Sequence, residues 1–95
     1  MLTSVAEFET AQAHRYLTQV CKHFAHKIPV ELSEARGECR FVCGTAGLEA
    51  DAARLRLRVT APTEAELVET QSVIESHLLR FAFREGGEAL TWTRC

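Results

Sequence analysis

The chain of 95 residues is long enough for one small domain with a modest core, so we expect residues 1–95 to fold as a single domain. Hydrophobic residues make up 46% and charged residues 25%, which excludes a disordered or fibrous chain, and a formal net charge of -2 gives no electrostatic reason to bind nucleic acid or an anionic membrane. No apolar run approaches the roughly 20 residues of a membrane helix, and the first residues lack the pattern of a signal peptide, so we expect a cytoplasmic protein.

The first third of the chain predicts a strand, a helix and a second strand. Apolar residues alternate over residues 2–8, which is typical of a short strand. Thr10 is the expected N-cap of a helix that ends before Pro29, because the residue before a proline favours extended geometry. The second strand is predicted over residues 28–32. The helix has an apolar face at three- and four-residue spacing, formed by Tyr16, Leu17, Val20, Cys21, Phe24 and Ile28.

The middle of the chain predicts three hairpins that share one buried face. Their turns are expected at residues 33–38, 44–47 and 52–53. A register error of one residue would move every side chain to the other face, so the parity of apolar residues tests each pairing. The expected partners are Leu32 with Cys39, Val30 with Phe41, Glu31 with Arg40, Cys43 with Leu48, Phe41 with Ala50, Arg40 with Asp51, Leu48 with Leu57, Ala50 with Leu55, Glu49 with Arg56, and Asp51 with Arg54.

The last third predicts a helix and a final strand. Thr63 followed by Glu66 forms a capping box that begins the helix. Its buried face is expected to contain Leu67, Ile74, Leu78 and Phe81, with His77 beside that face. Gly86 and Gly87 are expected to end the helix, and residues 90–93 are predicted to form a strand with Leu90 and Trp92 inward. The element order is β-α-β-β-β-β-α-β, an α+β two-layer sandwich in which two helices cover one face of a mostly antiparallel sheet of about six strands.

The four cysteines are expected to be reduced thiols. Cys21 lies in the apolar face of the first helix, and Cys39 and Cys43 have the even spacing of residues on one face of a strand, so all three are predicted to be small core residues. Cys95 is the last residue and is expected to be exposed.

The arginine stripe of Arg54, Arg56 and Arg58 could bind phosphate or carboxylate groups, because all three lie on one face of a strand. The predicted hairpin places Asp51 and Glu49 opposite the first two arginines. Such exposed pairs contribute only about 0–1 kcal/mol each and favour a neutralised surface. An uncovered sheet face is also available for a homodimer contact.

The histidines suggest a site at the helix ends. His23 and His26 lie three residues apart near the end of the first helix, and His77 lies in the second. A metal requires three or four converging ligands. Four strands between the helices predict that the helices run antiparallel and that His77 lies far from His23 and His26, which disfavours a three-histidine site. The simpler interpretation is that His23, His26 and Lys27 face water, where positive charge is favourable at the negative end of the helix dipole.

Signatures of catalysis are absent from the sequence. There is no glycine-rich phosphate loop, Gly-x-Ser-x-Gly elbow or Cys-x-x-Cys pair, and residues 44–47 are explained as a turn. We therefore predict no catalytic residue and no cofactor, and leave the metal open.

Two segments of the sequence resemble a known bacterial family. Residues 13–17 continuing into residues 20–27, and later residues 77–85 with Trp92, are similar to domain-of-unknown-function family 2218. Gly44, Leu48, Ala50 and Ala61 also match the pattern, whereas His14 departs from it. The resemblance implies a small bacterial protein with a binding or accessory role in iron acquisition, because similar domains occur beside siderophore-interacting flavin reductases. The ligand-binding residues it favours are His23, His26, Lys27, His77, Arg80, Arg84 and Glu85.

Three functional hypotheses follow. The first is a non-enzymatic domain that binds a partner protein or a small anionic or iron-chelating ligand through the polar residues at the helix ends. The second is a small metal- or histidine-dependent enzyme that uses His23 and His26. The third is a structural protein whose open sheet face forms a homodimer.

Overall fold

The computed structural model describes residues 1–82 and 89–95. Its elements follow the predicted order. They are β1 (Leu2–Glu9), α1 (Ala13–Phe24), β2 (Val30–Leu32), β3 (Arg36–Arg40), β4 (Thr45–Ala50), β5 (Arg54–Ala61), α2 (Glu64–Phe81) and β6 (Thr93–Arg94). Gly86 and Gly87, the predicted end of the second helix, lie outside the described residues.

The six strands form one antiparallel sheet in the order β2-β3-β4-β5-β1-β6. Both helices contribute buried residues to one core with the sheet, so the predicted α+β architecture is confirmed. Alternate residues of β5 are buried, and its arginines point to the opposite, open face. The helix face therefore holds the core, whereas the open face carries the charged side chains.

Helix α1 begins later than predicted. It starts at Ala13, and the hydroxyl of Thr10 accepts a hydrogen bond from the Gln12 N–H at 3.0 Å, so Thr10 supports the turn that precedes the helix. Its predicted apolar residues from Tyr16 to Phe24 are buried, and Ile28 packs against the core from beyond the helix end. The Ile28 N–H donates to the Phe24 carbonyl, which explains why β2 starts only at Val30.

Helix α2 begins as predicted. The Thr63 hydroxyl accepts a hydrogen bond from the Glu66 N–H at 3.2 Å and donates one to the Glu66 carboxylate at 3.0 Å. Leu67, Ile74 and Leu78 are fully buried, and Phe81 packs against the core while remaining half-buried. The capping box and most of the predicted buried face are confirmed.

Two of the three predicted hairpin registers are wrong, both by an even number of residues. In the first hairpin Val30 pairs with Cys39, and Leu32 pairs with Gly37 rather than Cys39. In the second the turn spans residues 41–44, closed by the Phe41 N–H to the Gly44 carbonyl at 2.8 Å, so Cys39 pairs with Ala46. An even shift leaves each side chain on its predicted face. The helix-facing side was therefore predicted correctly although the partners were not. Leu32 is the exception in burial, because it was expected in the core but is exposed in the short strand β2 at the edge of the sheet.

The position of the second turn follows from the space around Gly44. A side chain there would place its Cβ 2.5 Å from the Thr60 carbonyl oxygen and 2.6 Å from the Thr70 hydroxyl. Gly47 has room and continues β4 instead of forming part of the turn. Cys43 consequently lies in the turn, where it is half-buried and hydrogen-bonds with Thr70, which corrects its predicted place in the strand core.

The third hairpin has the predicted register, with Leu48 opposite Leu57 and Glu49 opposite Arg56. Its two-residue turn lacks the glycine or asparagine that such turns prefer. The carboxylate of Asp51 takes over that role by accepting hydrogen bonds from the Ala53 and Arg54 N–H groups at 2.8 and 2.9 Å. Asp51 therefore stabilises the turn and is not the side-chain ion partner of Arg54.

The final strand is shorter than predicted and starts later. It pairs Thr93 with Val5 and Arg94 with Ser4, and the Cys95 N–H donates to the Thr3 carbonyl at 2.9 Å. Leu90 and Trp92 precede the strand, although both pack against the core as expected. The Trp92 indole donates to the Glu75 carboxylate at 2.7 Å and so connects this end of the chain to α2.

Two of the cysteines meet at the interface between α1 and β3. Cys21 and Cys39 are fully buried, and all four cysteines are free thiols. A hydrogen bond with Cys21, reinforced by burial, raises the pKa of the Cys39 thiol. The same hydrogen bond lowers the pKa of the Cys21 thiol. The complete burial of both side chains agrees with the prediction that they serve as small core residues.

Candidate functional site

The candidate site begins at the C-terminal end of α1. His23 occupies the last turn of the helix and is half-buried, whereas His26 and Lys27 follow it and are exposed. The chain continues to turn after the helix, since the Lys27 N–H donates to the Phe24 carbonyl at 2.9 Å. This turn keeps all three basic side chains at one end of α1.

Helix α2 contributes His77 and Arg80, one turn apart. His77 is half-buried, and its Nδ1 lies 2.8 Å from the Val73 carbonyl oxygen. Because a carbonyl oxygen only accepts hydrogen bonds, Nδ1 carries the proton in this contact. This contact occupies Nδ1, so Nε2 is the ring nitrogen that remains available to a ligand.

The two helices bring His23 and His77 together. Their ring centroids are 5.0 Å apart with planes inclined at 38°. The prediction that His77 lies far from His23 is therefore wrong. His77 is the fourteenth residue of the 18-residue α2, and α1 has only 12 residues. Because each residue adds about 1.5 Å to a helix, α2 is clearly longer than α1. Position 14 of the longer helix can therefore lie beside the end of the shorter one even when the two helices run in opposite directions.

A base of phenylalanine rings supports the histidine pair. Phe24 is buried, and its ring centroid lies 4.7 Å from that of His77 and 4.8 Å from that of Phe41. The ring of Phe81 lies 6.1 Å from that of His23, edge to face. These contacts fix the positions of both imidazoles. The sequence assigned Phe24 and Phe81 to core faces, but it held no signal that linked Phe41 to them across the β3–β4 turn.

The electrostatics of the pair come from a group of basic side chains that we call the basic cluster: His23, His26, Lys27, His77 and Arg80. Partial burial of the imidazole lowers the pKa of His23, and repulsion from His77, Lys27, Arg80 and His26 lowers it further. Among the described residues no carboxylate forms an ion pair with a member of this cluster. The cluster is locally cationic in a chain whose formal net charge is -2.

The structure thus brings together five of the seven ligand-binding residues proposed from the sequence. Arg84 and Glu85, the other two, lie outside the described residues. No group of three or more histidine, cysteine, aspartate or glutamate side chains that could hold a metal ion occurs within residues 1–82 and 89–95.

The open face of the sheet carries the arginine stripe predicted from the sequence. Arg56 contacts Glu49 at 3.9 Å and Glu7 at 3.2 Å, and Arg54 contacts Glu7 at 3.2 Å. The sequence identified Glu49 as a partner across β4 and β5 but did not anticipate Glu7, since β1 lies far away along the chain. Arg58 differs from both neighbours, because it forms no ion pair with a carboxylate in the described part of the chain.

Neither described helix is long and apolar enough to cross a membrane.

A search of curated proteins gave no match. A solved structure described as "NMR structure of PA4090 from Pseudomonas aeruginosa" is similar to this chain, with 31% sequence identity and a TM-score of 0.83. The similarity covers 98% of this chain and 96% of the Pseudomonas chain. A family described as "Uncharacterized protein conserved in bacteria (DUF2218)" matches residues 5–93, and the chain therefore belongs to this bacterial family, as its sequence motifs indicated.

Proposed function

We propose that this protein is a non-enzymatic binding domain that holds a small anionic ligand at the basic cluster. The observation that carries the proposal is the contact between His23 and His77, with ring centroids 5.0 Å apart. This contact joins the basic residues that follow α1 to Arg80 on α2, so groups separated by about fifty positions act on one place.

The chemistry of the cluster favours an anion over a cation. Lys27 and Arg80 carry positive charges, and repulsion within the cluster already disfavours protonation of His23. A bound anion would relieve that repulsion and accept charge-assisted hydrogen bonds from the same side chains. Arg80 can bind a carboxylate with two parallel hydrogen bonds, whereas Lys27 is exposed and provides a mobile point charge.

The family resemblance supplies a candidate ligand class. Iron-chelating siderophores present carboxylate, hydroxamate or catecholate oxygens, and an iron-loaded siderophore that keeps a negative charge would suit a cationic cluster. A role in siderophore handling is therefore our specific proposal for the ligand. It rests on that resemblance together with the charge of the site.

Thermal denaturation with added ligand tests the proposal. We expect citrate, inorganic phosphate or a ferric siderophore to raise the melting temperature, since a ligand present at 100 times its Kd adds about 2.7 kcal/mol to the free energy of unfolding. The variant Arg80→Gln should reduce the shift. The matched control Arg15→Gln changes an exposed arginine of α1, two turns before His23, and should retain it.

Two outcomes would count against the proposal. One is the absence of any shift for all these anionic ligands. The other is an equal shift for wild type and Arg80→Gln, because the ligand would then bind away from the cluster.

A further inference from the structure

Two thiols meet in the core and take no part in the basic cluster. Cys21 of α1 and Cys39 of β3 are both fully buried, and their side chains are hydrogen-bonded to each other. A disulfide forms only between cysteines whose side chains point toward each other at short range. The fold therefore holds these two thiols in the arrangement from which a disulfide can form.

Gly37 explains why the two sulfur atoms lie side by side. A side chain at Gly37 would place its Cβ 2.4 Å from the Cys21 Sγ and 3.0 Å from the Leu17 Cδ1. The Cys21 sulfur consequently occupies the space that a side chain at Gly37 would need on the helix-facing side of β3. Cys39 lies two residues further along the same strand and faces the same side. Helix and strand thus place both thiols in one layer of the core.

The short edge strand β2 lies beside this part of β3. It has three residues, and it places Val30 opposite Cys39 and Leu32 opposite Gly37. Val30 is half-buried, whereas Glu31 and Leu32 are exposed. A strand with so little buried surface opens at a small cost in free energy. Opening of β2 gives a small oxidant a route to the Cys21 sulfur without unfolding of the whole domain.

We propose that Cys21 and Cys39 form a reversible disulfide when the protein meets a peroxide. The Cys21 sulfur attacks hydrogen peroxide, the O–O bond breaks, and a sulfenic acid and one water molecule form. The Cys39 sulfur then attacks the sulfenic sulfur, and the S–O bond breaks to release a second water molecule. Together the two thiols lose two electrons and two protons, and the peroxide is reduced to two molecules of water.

The contact between the thiols favours Cys21 as the first to react. The hydrogen bond with Cys39 lowers the pKa of the Cys21 thiol against the opposing effect of burial, whereas the same bond and burial raise the pKa of Cys39. Peroxides react with the thiolate form of cysteine. Cys39 is then the resolving thiol, already in contact with the oxidised sulfur.

The disulfide would attach the second half of α1 covalently to the sheet. Cys21 lies one turn before the helix ends at Phe24. The cross-link would therefore restrict movement of the end of α1 relative to β3. Its formation is independent of the ligand proposed for the basic cluster.

Peptide mapping of the folded, full-length protein tests this proposal. The exposed thiol of Cys95 is replaced by serine in all samples, so that it cannot join two molecules. Trypsin cleaves after lysine and arginine and so separates the other three cysteines into peptides of residues 16–22, 37–40 and 41–54. After hydrogen peroxide and alkylation of free thiols, we expect the first two peptides to be linked, with the mass of two hydrogen atoms lost. Dithiothreitol should restore both.

Cys43 provides the matched control, because it is half-buried and thus more accessible than either proposed partner. Cys43→Ser should leave the yield of the linked peptides unchanged, whereas Cys39→Ser should abolish it. The map of the protein that retains Cys21 and Cys39 decides the matter even if Cys39→Ser does not fold. Absence of the linked peptides, or a predominance of links to residues 41–54, would overturn the proposal.

The urea dependence of the oxidation rate tests the route through β2. Opening a short edge strand exposes little surface, so below the unfolding transition the logarithm of the rate should rise with urea by much less than the equilibrium m-value predicts. A rise as steep as that for global unfolding would mean that peroxide reaches these thiols only in the unfolded chain. The disulfide would then not be a property of the folded protein, and the proposal would fail.

Discussion

Gly44 lies in the β3–β4 turn, where a Cβ atom would meet both β5 and α2. Replacement by alanine would place a Cβ 2.5 Å from the Thr60 carbonyl oxygen, a backbone atom that cannot turn aside as a flexible side chain can. We expect Gly44→Ala to lower the free energy of unfolding by about 1–3 kcal/mol, the usual cost of forcing extra volume into a packed site. Urea denaturation measures this change.

The control for Gly44 is Gly47, in the adjacent strand. A Cβ at Gly47 would meet no atom closer than the Arg58 carbonyl oxygen at 3.7 Å, an ordinary van der Waals distance. Alanine also restricts the unfolded chain more than glycine does. Gly47→Ala should therefore leave the free energy of unfolding unchanged or slightly raised, and equal losses for both variants would contradict the steric explanation.

His23 provides a test of the basic cluster by its titration. Its folded pKa is lowered, so the unfolded chain binds a proton more readily than the folded protein does. The contribution of His23 to stability is therefore present above the ordinary histidine pKa of about 6.5 and is lost as pH falls through and below that value. We expect His23→Gln to reduce the pH dependence of the urea midpoint in this range.

The same histidine also reports on ligand binding. An anion near the cluster favours the charged imidazolium, so saturating phosphate should raise the NMR titration midpoint of His23. A midpoint that stays the same in phosphate and in chloride would show that the anion does not reach the His23 ring.

At the scale of elements, the start of α2 depends on one side chain. Thr63 satisfies the Glu66 N–H, which otherwise lacks a partner within the helix. Thr63→Ala should reduce the free energy of unfolding by about 1 kcal/mol. Ser72→Ala, an exposed hydroxyl in the middle of the same helix, is the matched control and should have little effect. Comparable losses for the two variants would refute the capping role.

The sequence predicted the elements better than it predicted their partners. The alternation in β5 and the helical spacing in α1 show which side of each element is buried. This information is contained within the segment itself. The registers of β2–β3 and β3–β4 depended instead on where the chain turns. The clash that a side chain at Gly44 would make with Thr60 and Thr70 comes from residues far along the sequence, and no local pattern encodes it.

For the candidate site, too, the residues could be predicted from the sequence but their contacts could not. The basic residues at the helix ends could be identified from the sequence. The spacing of apolar residues shows that basic side chains follow the first helix and that a histidine lies beside the buried face of the second. The contact between His23 and His77 could not be predicted, since it depends on how helices of 12 and 18 residues pack against each other over one sheet. Likewise, the pairing of Arg54 and Arg56 with Glu7 required β1 to lie next to β5.

At the scale of the whole molecule, the two faces of the sheet have different compositions. The helix face is apolar and closes around a core that includes Leu17, Leu57 and Ile74, all almost fully buried. The open face carries a network of ion pairs between arginine and glutamate side chains. These pairs are exposed and contribute little to stability individually, but they keep an uncovered sheet surface hydrated.

The position of β1 within the sheet has a consequence for how quickly the protein folds. Strands β2 to β5 pair with their neighbours along the chain, whereas β1 inserts between β5 and β6 and pairs Leu2 with Ala61. Closing so long a loop costs chain entropy before any pairing compensates for it. We expect pulse-labelled hydrogen exchange during refolding to protect the amides of β4 and β5 before those of β1. Simultaneous protection would mean that the first strand docks in the rate-limiting step, so that the nucleus already spans almost the entire polypeptide.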